Sequence, residues 1–172
     1  MRIHSTFYNL PSTVLSAYDL GNVRQVKVVT DGLVHKTYEL KTTTGLYILQ
    51  RLHPVLASAG IGQDFLAVTK YLESQAFPTL RAVLSKKGKL LVRDGKNVWR
   101  IQTKLPGKTI HVLKDVKMAR ACGEIYAKFH RVMDGFPYRF KSTKILHETE
   151  KVYAAFVKAT KKAKGTEVQE AV

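Results

Sequence analysis

The residues whose types and spacing could do chemistry are concentrated in one stretch, "TDGLVHKTYELKTTTGLYILQRL", from Thr30 to Leu52. Gly32 follows an aspartate in a turn, and a residue without a Cβ lets backbone N–H groups approach a phosphate closely. Gln50 and Arg51 end a strand-like run, and because side chains alternate along a strand they point to opposite faces. The stretch therefore reads either as an ordinary two-turn hairpin or as a loop and strand that hold phosphates.

Other reactive side chains do not form a recognisable catalytic or metal-binding pattern. His130 and His147 lie on different helical segments, without the Glu or Cys spacing of a zinc site. No Ser-His-Asp or nucleophile-elbow motif is present. The single cysteine, Cys122, excludes an internal disulfide, and its helical context predicts a buried, small apolar residue.

The composition and charge narrow the class of protein. The 172 residues are long enough for a core, and the net charge of +16 implies attraction to polyanions such as nucleotide phosphates or nucleic acid. Lysine and arginine are dispersed along the chain, and the strands lack an aromatic RNA-binding pattern, so nucleic acid is the less favoured partner. With no apolar run near about 20 residues and no signal-peptide core, we expect a cytoplasmic protein without a membrane partner.

These residues must be positioned by a sheet followed by helices. A short helix is predicted after Pro11, and a longer one, ended by Pro78, interrupts the strands. Alternation of apolar and polar residues predicts six strands: "VRQVKVV", "KTYELKT", "LYILQRL", "TLRAVLS", "KLLVR" and "NVWRIQTKL". Beyond "LPGKT", helical spacing predicts one helix from Val116 to Met133 and another from about Ser142 to Thr160. Strands first and helices afterwards indicate an α+β fold, with domains at 1–105 and 106–172.

Several segments in this order resemble the aminoglycoside phosphotransferase and choline kinase superfamily, in particular its N-acetylhexosamine kinase and homoserine kinase-like branch. Gly32, Thr37 and Tyr38 match that branch's Gly-x-x-Asn-x-Thr-Tyr loop, and "GLYILQRL" matches its following strand. The family's last strand and hinge resemble "WRIQTKLPGKT", and its linker helix ending in Phe-His resembles "ARACGEIYAKFHRVM". Its Phe-His-Asp-Thr segment resembles "KILHETEKV". The resemblance runs from about Val14 to Val157.

The resemblance implies a protein-kinase-like N-lobe, a five- to six-stranded antiparallel sheet with one inserted helix, followed by linker helices of an incomplete C-lobe. His35 stands where the family commonly has asparagine, and Gln50 takes the place of the lysine that binds the α- and β-phosphates. The implied nucleotide-binding residues are Gly32, His35, Thr37, Gln50, Arg51, Asp64 as the partner of the cation, and Gln102, Lys104 and Leu105 at the hinge that holds adenine.

The family's catalytic loop, which resembles His-Gly-Asp-x-x-x-x-Asn, does not occur in this sequence, and no DFG-like triplet follows. The resemblance therefore implies the ATP-binding half of a kinase that uses ATP and Mg²⁺ to phosphorylate a hydroxyl of a sugar, amino sugar or amino alcohol. We expect no catalytic or metal-binding residue in this chain, no activity from it alone, and a missing C-terminal half. The alternatives are a basic nucleic-acid-binding module and a non-catalytic kinase-like scaffold.

Overall fold

The structure, a computed structural model, describes residues 10–142 and 149–162. The chain divides between Lys141 and Ser142 into two compact units. The described part of the first unit contains six strands, three α-helices and one 3-10 helix, Pro54–Leu56. The strands are β1 (Val23–Val29), β2 (Lys36–Thr42), β3 (Leu46–Arg51), β4 (Ala82–Val83), β5 (Val92–Asp94) and β6 (Asn97–Thr103), and the helices are α1 (Ser12–Leu15), α2 (Ala59–Ser74) and α3 (Val116–Asp134).

The six strands form one antiparallel sheet. Strands β1, β2 and β3 are a meander, β6 pairs with the free edge of β3, and both β4 and β5 pair with β6. Helix α2 is inserted between β3 and β4, so the predicted α+β fold with its six-stranded antiparallel sheet and one inserted helix is confirmed. This topology places β3 and β6 side by side although they are far apart in sequence.

One face of the sheet carries the hydrophobic core. Leu40, Leu49 and Ile101 are fully buried on adjacent strands, and Val14 of α1 closes over them. Trp99 belongs to the same cluster and is only 3% exposed, which confirms the expectation that it is a core residue. The alternating side chains of β2, β3 and β6 that do not enter this cluster face the other way, toward α2.

Helix α2 begins at Ala59, a few residues before the periodic run that predicts it. The Ser58 hydroxyl caps it by accepting the Ile61 N–H at 3.2 Å, which satisfies a backbone donor that the first turn leaves free. The helix ends at Ser74, before Pro78. Its contact with the sheet includes Phe65, whose ring lies beneath the guanidinium of Arg100 on β6.

Helix α3 forms where the sequence predicts it, but its predicted apolar face is largely exposed. The Asp115 carboxylate caps the helix by accepting the Met118 N–H at 2.7 Å. Only its C-terminal part packs, with the Phe129 ring centroid 5.9 Å from that of Phe77. The prediction that Cys122 is buried is therefore wrong, because the middle of the helix extends beyond the elements that could cover it and the thiol is exposed.

The second unit contains helix α4 (Thr149–Lys162). The helix predicted from about Ser142 is confirmed over this range, whereas residues 143–148, including His147, lie outside the described residues. Val152, Tyr153 and Phe156 are at least half exposed. None of the helices in the described ranges is long and apolar enough to span a membrane.

Candidate nucleotide-binding site

Three polar side chains form a row across the α2 side of the sheet. Thr37, Gln50 and Arg100 are directly opposite one another on β2, β3 and β6. Arg100 donates from Nε to the Gln50 amide oxygen at 3.0 Å, and Gln50 donates from Nε2 to the Thr37 hydroxyl at 3.4 Å. The Thr37 hydroxyl in turn donates to the His35 carbonyl oxygen at 3.4 Å. This row connects the end of the sheet to the glycine loop, residues 30–35.

Arg100 is the member of this row that the sequence analysis did not identify. Its guanidinium carbon lies 4.1 Å from the centroid of the Phe65 ring, a distance at which the ring's π-electrons attract the cation. Burial lowers the pKa of Arg100 to about 10, which leaves the side chain charged at neutral pH. Period-two alternation in "NVWRIQT" does predict that Arg100 and Trp99 point to opposite faces of the sheet. The pairing of β6 with β3, which brings Arg100 next to Gln50, has no signature in the sequence.

The glycine loop covers Thr37. Gly32 does not have a positive φ, and a Cβ added to it would be 3.6 Å from both the His35 carbonyl oxygen and the Thr37 hydroxyl, an ordinary contact. The loop conformation therefore does not demand glycine. At the loop's exposed edge, Asp31 Oδ2 lies 3.8 Å from His111 Nε2, which brings the loop near the segment that follows the hinge.

His35 closes the loop onto the end of β3. Its Nδ1 accepts the backbone N–H of His53 at 3.1 Å, so this nitrogen must be unprotonated. Burial, and then the nearby charges of Arg100 and His53, lower the pKa of His35 below its ordinary value. At neutral pH the imidazole is a neutral structural acceptor.

The structure does not bring Arg51 to the same face as Gln50. Arg51 is paired with Lys36 and Trp99 in an unbroken register, so it shares the face of Trp99. A bulge in β3 would be needed to turn it over, and the β2–β3 and β3–β6 pairings contain none. Arg51 instead lines a separate cavity of about 210 Å³ together with Lys36 and Lys96.

Asp64 lies on α2. The resemblance implies that it pairs with a phosphate-binding cation, whereas the structure shows it accepting bonds from a phenol and a backbone N–H. It is 8% exposed, and its Oδ1 accepts the Tyr138 hydroxyl at 3.0 Å and the Lys141 backbone N–H at 2.7 Å. Asp64 also lines an open cavity of about 400 Å³ beside Arg100 and Phe65. The carboxylate thus anchors the segment after α3 next to the candidate site.

The predicted hinge begins inside β6, which includes Gln102 and Thr103, and its first backbone donors are engaged within the sheet. Thr103 donates its N–H to the Arg81 carbonyl oxygen at 2.9 Å, and Lys104 donates to that of Leu46 at 3.1 Å. Leu105 is the next residue, and its N–H donates to no acceptor within residues 10–142 and 149–162. Leu105 is 46% exposed, so its amide is the hinge N–H that remains open to an incoming acceptor.

The side chains at the hinge are arranged around one ion pair. Lys104 Nζ lies 2.7 Å from Glu39 Oε2, and both side chains are only about one-third exposed or less. Glu39 lies on β2 in the row that also contains Ile48 and Gln102. Gln102 is 8% exposed, and its amide oxygen finds no donor among the described residues.

A magnesium site is not formed by the described part of the chain. No group of three or more His, Cys, Asp or Glu side chains lies close enough together to hold a metal ion there. Mg²⁺ prefers several oxygen ligands in octahedral geometry. The described residues therefore offer no such site made of protein ligands alone.

The antiparallel sheet with its one inserted helix is the architecture of a kinase-like N-lobe. The model of the phosphotransferase enzyme family matches residues 25–165, so this chain belongs to that family. No curated protein matches the sequence.

Three solved structures show the same fold. Amicoumacin kinase hAmiN in complex with AMP-PNP, Ca²⁺ and Ami has a TM-score of 0.67 and 16% identity, over 83% of this chain and 45% of that one. The aminoglycoside phosphotransferase from Alicyclobacillus acidocaldarius subsp. acidocaldarius DSM 446 has a TM-score of 0.64 and 15% identity, over 89% and 42%. Spectinomycin phosphotransferase APH(9)-Ia in complex with ADP and spectinomycin has 0.58 and 8%, over 86% and 45%. The present chain thus spans less than half the length of each.

Proposed function

We propose that this chain is the ATP-binding part of a small-molecule phosphotransferase. The observation that carries the proposal is the polar row Thr37–Gln50–Arg100, which connects the glycine loop to the strand before the hinge in a chain of the phosphotransferase enzyme family. Phosphoryl transfer requires mainly positioning and charge neutralisation, and a loop, a polar row and a hinge supply the nucleotide side of this task. The acceptor is a hydroxyl of a sugar, amino sugar or amino alcohol.

Within this proposal, adenine binds at the hinge and the phosphates lie under the glycine loop. The free N–H of Leu105 donates to a ring nitrogen of adenine, because the N–H of Lys104 is already bonded within the sheet. The Lys104–Glu39 ion pair fixes the start of the hinge. Gly32, His35 and Thr37 form the roof over the phosphates, with His35 serving through its bond to the His53 backbone.

The catalytic half belongs to a separate part of the complete enzyme. Magnesium would supply charge neutralisation at the transferred phosphoryl group, and its ligands are proposed to lie on that half, since the described residues contain no group of three or more ligating side chains. The exposed apolar residues of α3, among them Ile125 and Tyr126, are surfaces for it to cover. We propose that the boundary between the nucleotide-binding lobe and the linker helices lies between residues 105 and 106. We also propose that the protein is cytoplasmic.

Calorimetry of the purified chain tests the binding proposal directly. We expect Mg-ATP and ADP to bind, and a variant with Leu105→Pro, which removes the hinge N–H, to lose affinity for both nucleotides and for adenosine. The matched control is Leu113→Pro, at an exposed position beyond the hinge. Failure of the wild-type chain to bind any adenine nucleotide would refute the proposal.

An activity assay tests the division of labour. ATP incubated with the chain and a panel of sugars and amino alcohols is expected to give no phosphorylated product. A defined product would show that the chain is a complete kinase. Finding a His-Gly-Asp segment in the DNA immediately downstream would support the separate catalytic half. Nucleotide binding without any such half would favour a non-catalytic scaffold.

One observation favours a second candidate function, binding of nucleic acid. Lys36, Arg51 and Lys96 surround a cavity of about 210 Å³ at the end of the sheet, and the chain carries a net charge of +16. Phosphate-backbone binding through these residues would weaken steeply with salt concentration. Titration of a short RNA at two salt concentrations distinguishes this from nucleotide binding, which we expect to depend less on salt.

A further inference from the structure

The β3 strand does not bring a cation to the α2 side of the sheet, where the polar row Thr37–Gln50–Arg100 lies. Gln50 occupies that position and is neutral, so it cannot offset phosphate charge. Arg51, the next residue, shares the opposite face with Trp99. If ATP binds as proposed above, another side chain must neutralise its phosphates.

Arg100 is the cation that the structure places beside Gln50. A guanidinium has five N–H donors, and within the described ranges only Nε has an acceptor, the Gln50 amide oxygen. No carboxylate of the described residues lies within ion-pair distance of it. The side chain is nevertheless half-buried, and removing an unpaired charge from water is unfavourable. Its four remaining donors are available to an anion.

The surroundings of Arg100 orient these donors rather than neutralise them. The Phe65 ring supports the guanidinium from one side at 4.1 Å, and Gln50 holds Nε. Two carboxylates on this side of the sheet have other partners, since Glu39 pairs with Lys104 and Asp64 bonds to Tyr138. The site is thus a preorganised fork, and a fork matches two oxygens of one phosphate better than a lysine does.

We propose that Arg100 binds the phosphates of the nucleotide in place of a β3 cation, and that Gln50 is a positioning residue that orients it. The inference rests on the proposed ATP-binding function and assigns its charge recognition to β6. The ligand class is a nucleoside di- or triphosphate, since the same row leads through Thr37 to the glycine loop. Gln50 contributes through its bond to Arg100 and not through charge.

Binding of ATP, ADP and adenosine to the full chain tests this assignment. Arg100→Met is expected to lower the affinity for ATP and ADP by about tenfold or more, the size of a lost charge-assisted hydrogen bond, and to leave adenosine binding unchanged. Arg100→Lys keeps the charge but not the fork, and we expect an intermediate loss. Arg93→Met removes an equal charge at an exposed position of β5, and this control should bind all three ligands as the wild type does.

The outcomes separate this inference from the function on which it rests. If wild-type protein binds ATP and Arg100→Met binds it equally well, Arg100 does not read the phosphates while the proposed function stands. Equal wild-type affinity for ATP and adenosine has the same meaning. If the wild type binds none of the three, both proposals are wrong.

A second measurement keeps the inference testable if Arg100→Met does not fold. The Nε–H signal of Arg100 in the NMR spectrum of the wild-type chain can be assigned by its loss in Arg100→Lys. We expect ATP to shift this signal and adenosine to leave it in place. A signal that does not respond to ATP under conditions where ATP binds would overturn the assignment.

Discussion

The carboxylate of Asp64 accepts a hydrogen bond from the Tyr138 hydroxyl at 3.0 Å, so the first half of α2 is joined directly to the segment that follows α3. The same oxygen accepts the Lys141 backbone N–H at 2.7 Å. Partial burial and then the Asp64 carboxylate raise the pKa of the Tyr138 phenol. Asp64 therefore anchors the end of the first unit to the helix that borders Arg100.

We expect Asp64→Asn to destabilise the protein by about 1 to 3 kcal/mol. The neutral amide oxygen is a weaker acceptor than the carboxylate, so the Tyr138 hydroxyl and the Lys141 N–H are left partly unsatisfied. The free energy of unfolding from urea titration measures the change. Gln63→Ala, at the neighbouring exposed position of α2, is the control and should change it little. A double-mutant cycle with Tyr138→Phe should show coupling between the two side chains, and strict additivity would contradict the anchoring role.

Acidification is expected to loosen the glycine loop through His35. The folded-state pKa of His35 is lowered, chiefly by burial, so the unfolded chain takes up a proton first as pH falls below the ordinary value of 6.5. The contribution of His35 to stability is thus complete above 6.5 and is lost as pH falls through the lower, folded-state pKa.

This pH dependence can be measured in two ways. His35→Asn keeps a side-chain acceptor but does not titrate, so its free energy of unfolding should fall less between pH 7.5 and 5 than that of the wild type. In NMR titration, the His35 midpoint should lie below 6.5 and move upward in Arg100→Met, since Arg100 is one cause of the shift. An unchanged midpoint would show that Arg100 does not act on this imidazole.

Two glutamines on the same face of the sheet should respond oppositely to methionine. Gln102→Met removes a buried amide oxygen that has no donor among the described residues, and we expect a gain of about 1 kcal/mol in stability. Gln50→Met breaks the bonds to Arg100 and Thr37, and we expect a loss of about 1 to 2 kcal/mol. Thermal and urea unfolding compare the pair. A loss of stability in Gln102→Met would indicate that its oxygen has a partner in solution.

Gly21 and Gly88 offer a matched test of the connection before β1. Both have positive φ, +66° and +68°, which costs an alanine about 1 to 2 kcal/mol. A Cβ at Gly88 would meet open space, whereas one at Gly21 would overlap the Thr43 hydroxyl that accepts the Asn22 N–H. Gly21→Ala should therefore lower the free energy of unfolding by more than Gly88→Ala. Equal losses would mean that the Thr43 side chain rotates away at no cost.

The sequence by itself determined the local parts of this protein. Alternation along "YILQR" assigns Gln50 and Arg51 to opposite faces, and the structure agrees, since Arg51 shares its face with Trp99. The order of strands and helices, the helix breaker Pro78 and the family resemblance are likewise properties of contiguous residues. The strands and helices depend on backbone geometry that repeats every two or every 3.6 residues, and Pro78 ends a helix because it lacks an N–H, so a short window of sequence is sufficient for them.

Tertiary structure alone decided which side chains meet. Gln50 and Arg100 are 50 residues apart, and Asp64 and Tyr138 are 74 apart. The register of β6 on β3 and the position of α2 against the sheet depend on how all the apolar faces are buried together. No single segment carries this property. For that reason the sequence indicated a phosphate-binding strand without a cation, and only the packed sheet placed Arg100 beside it.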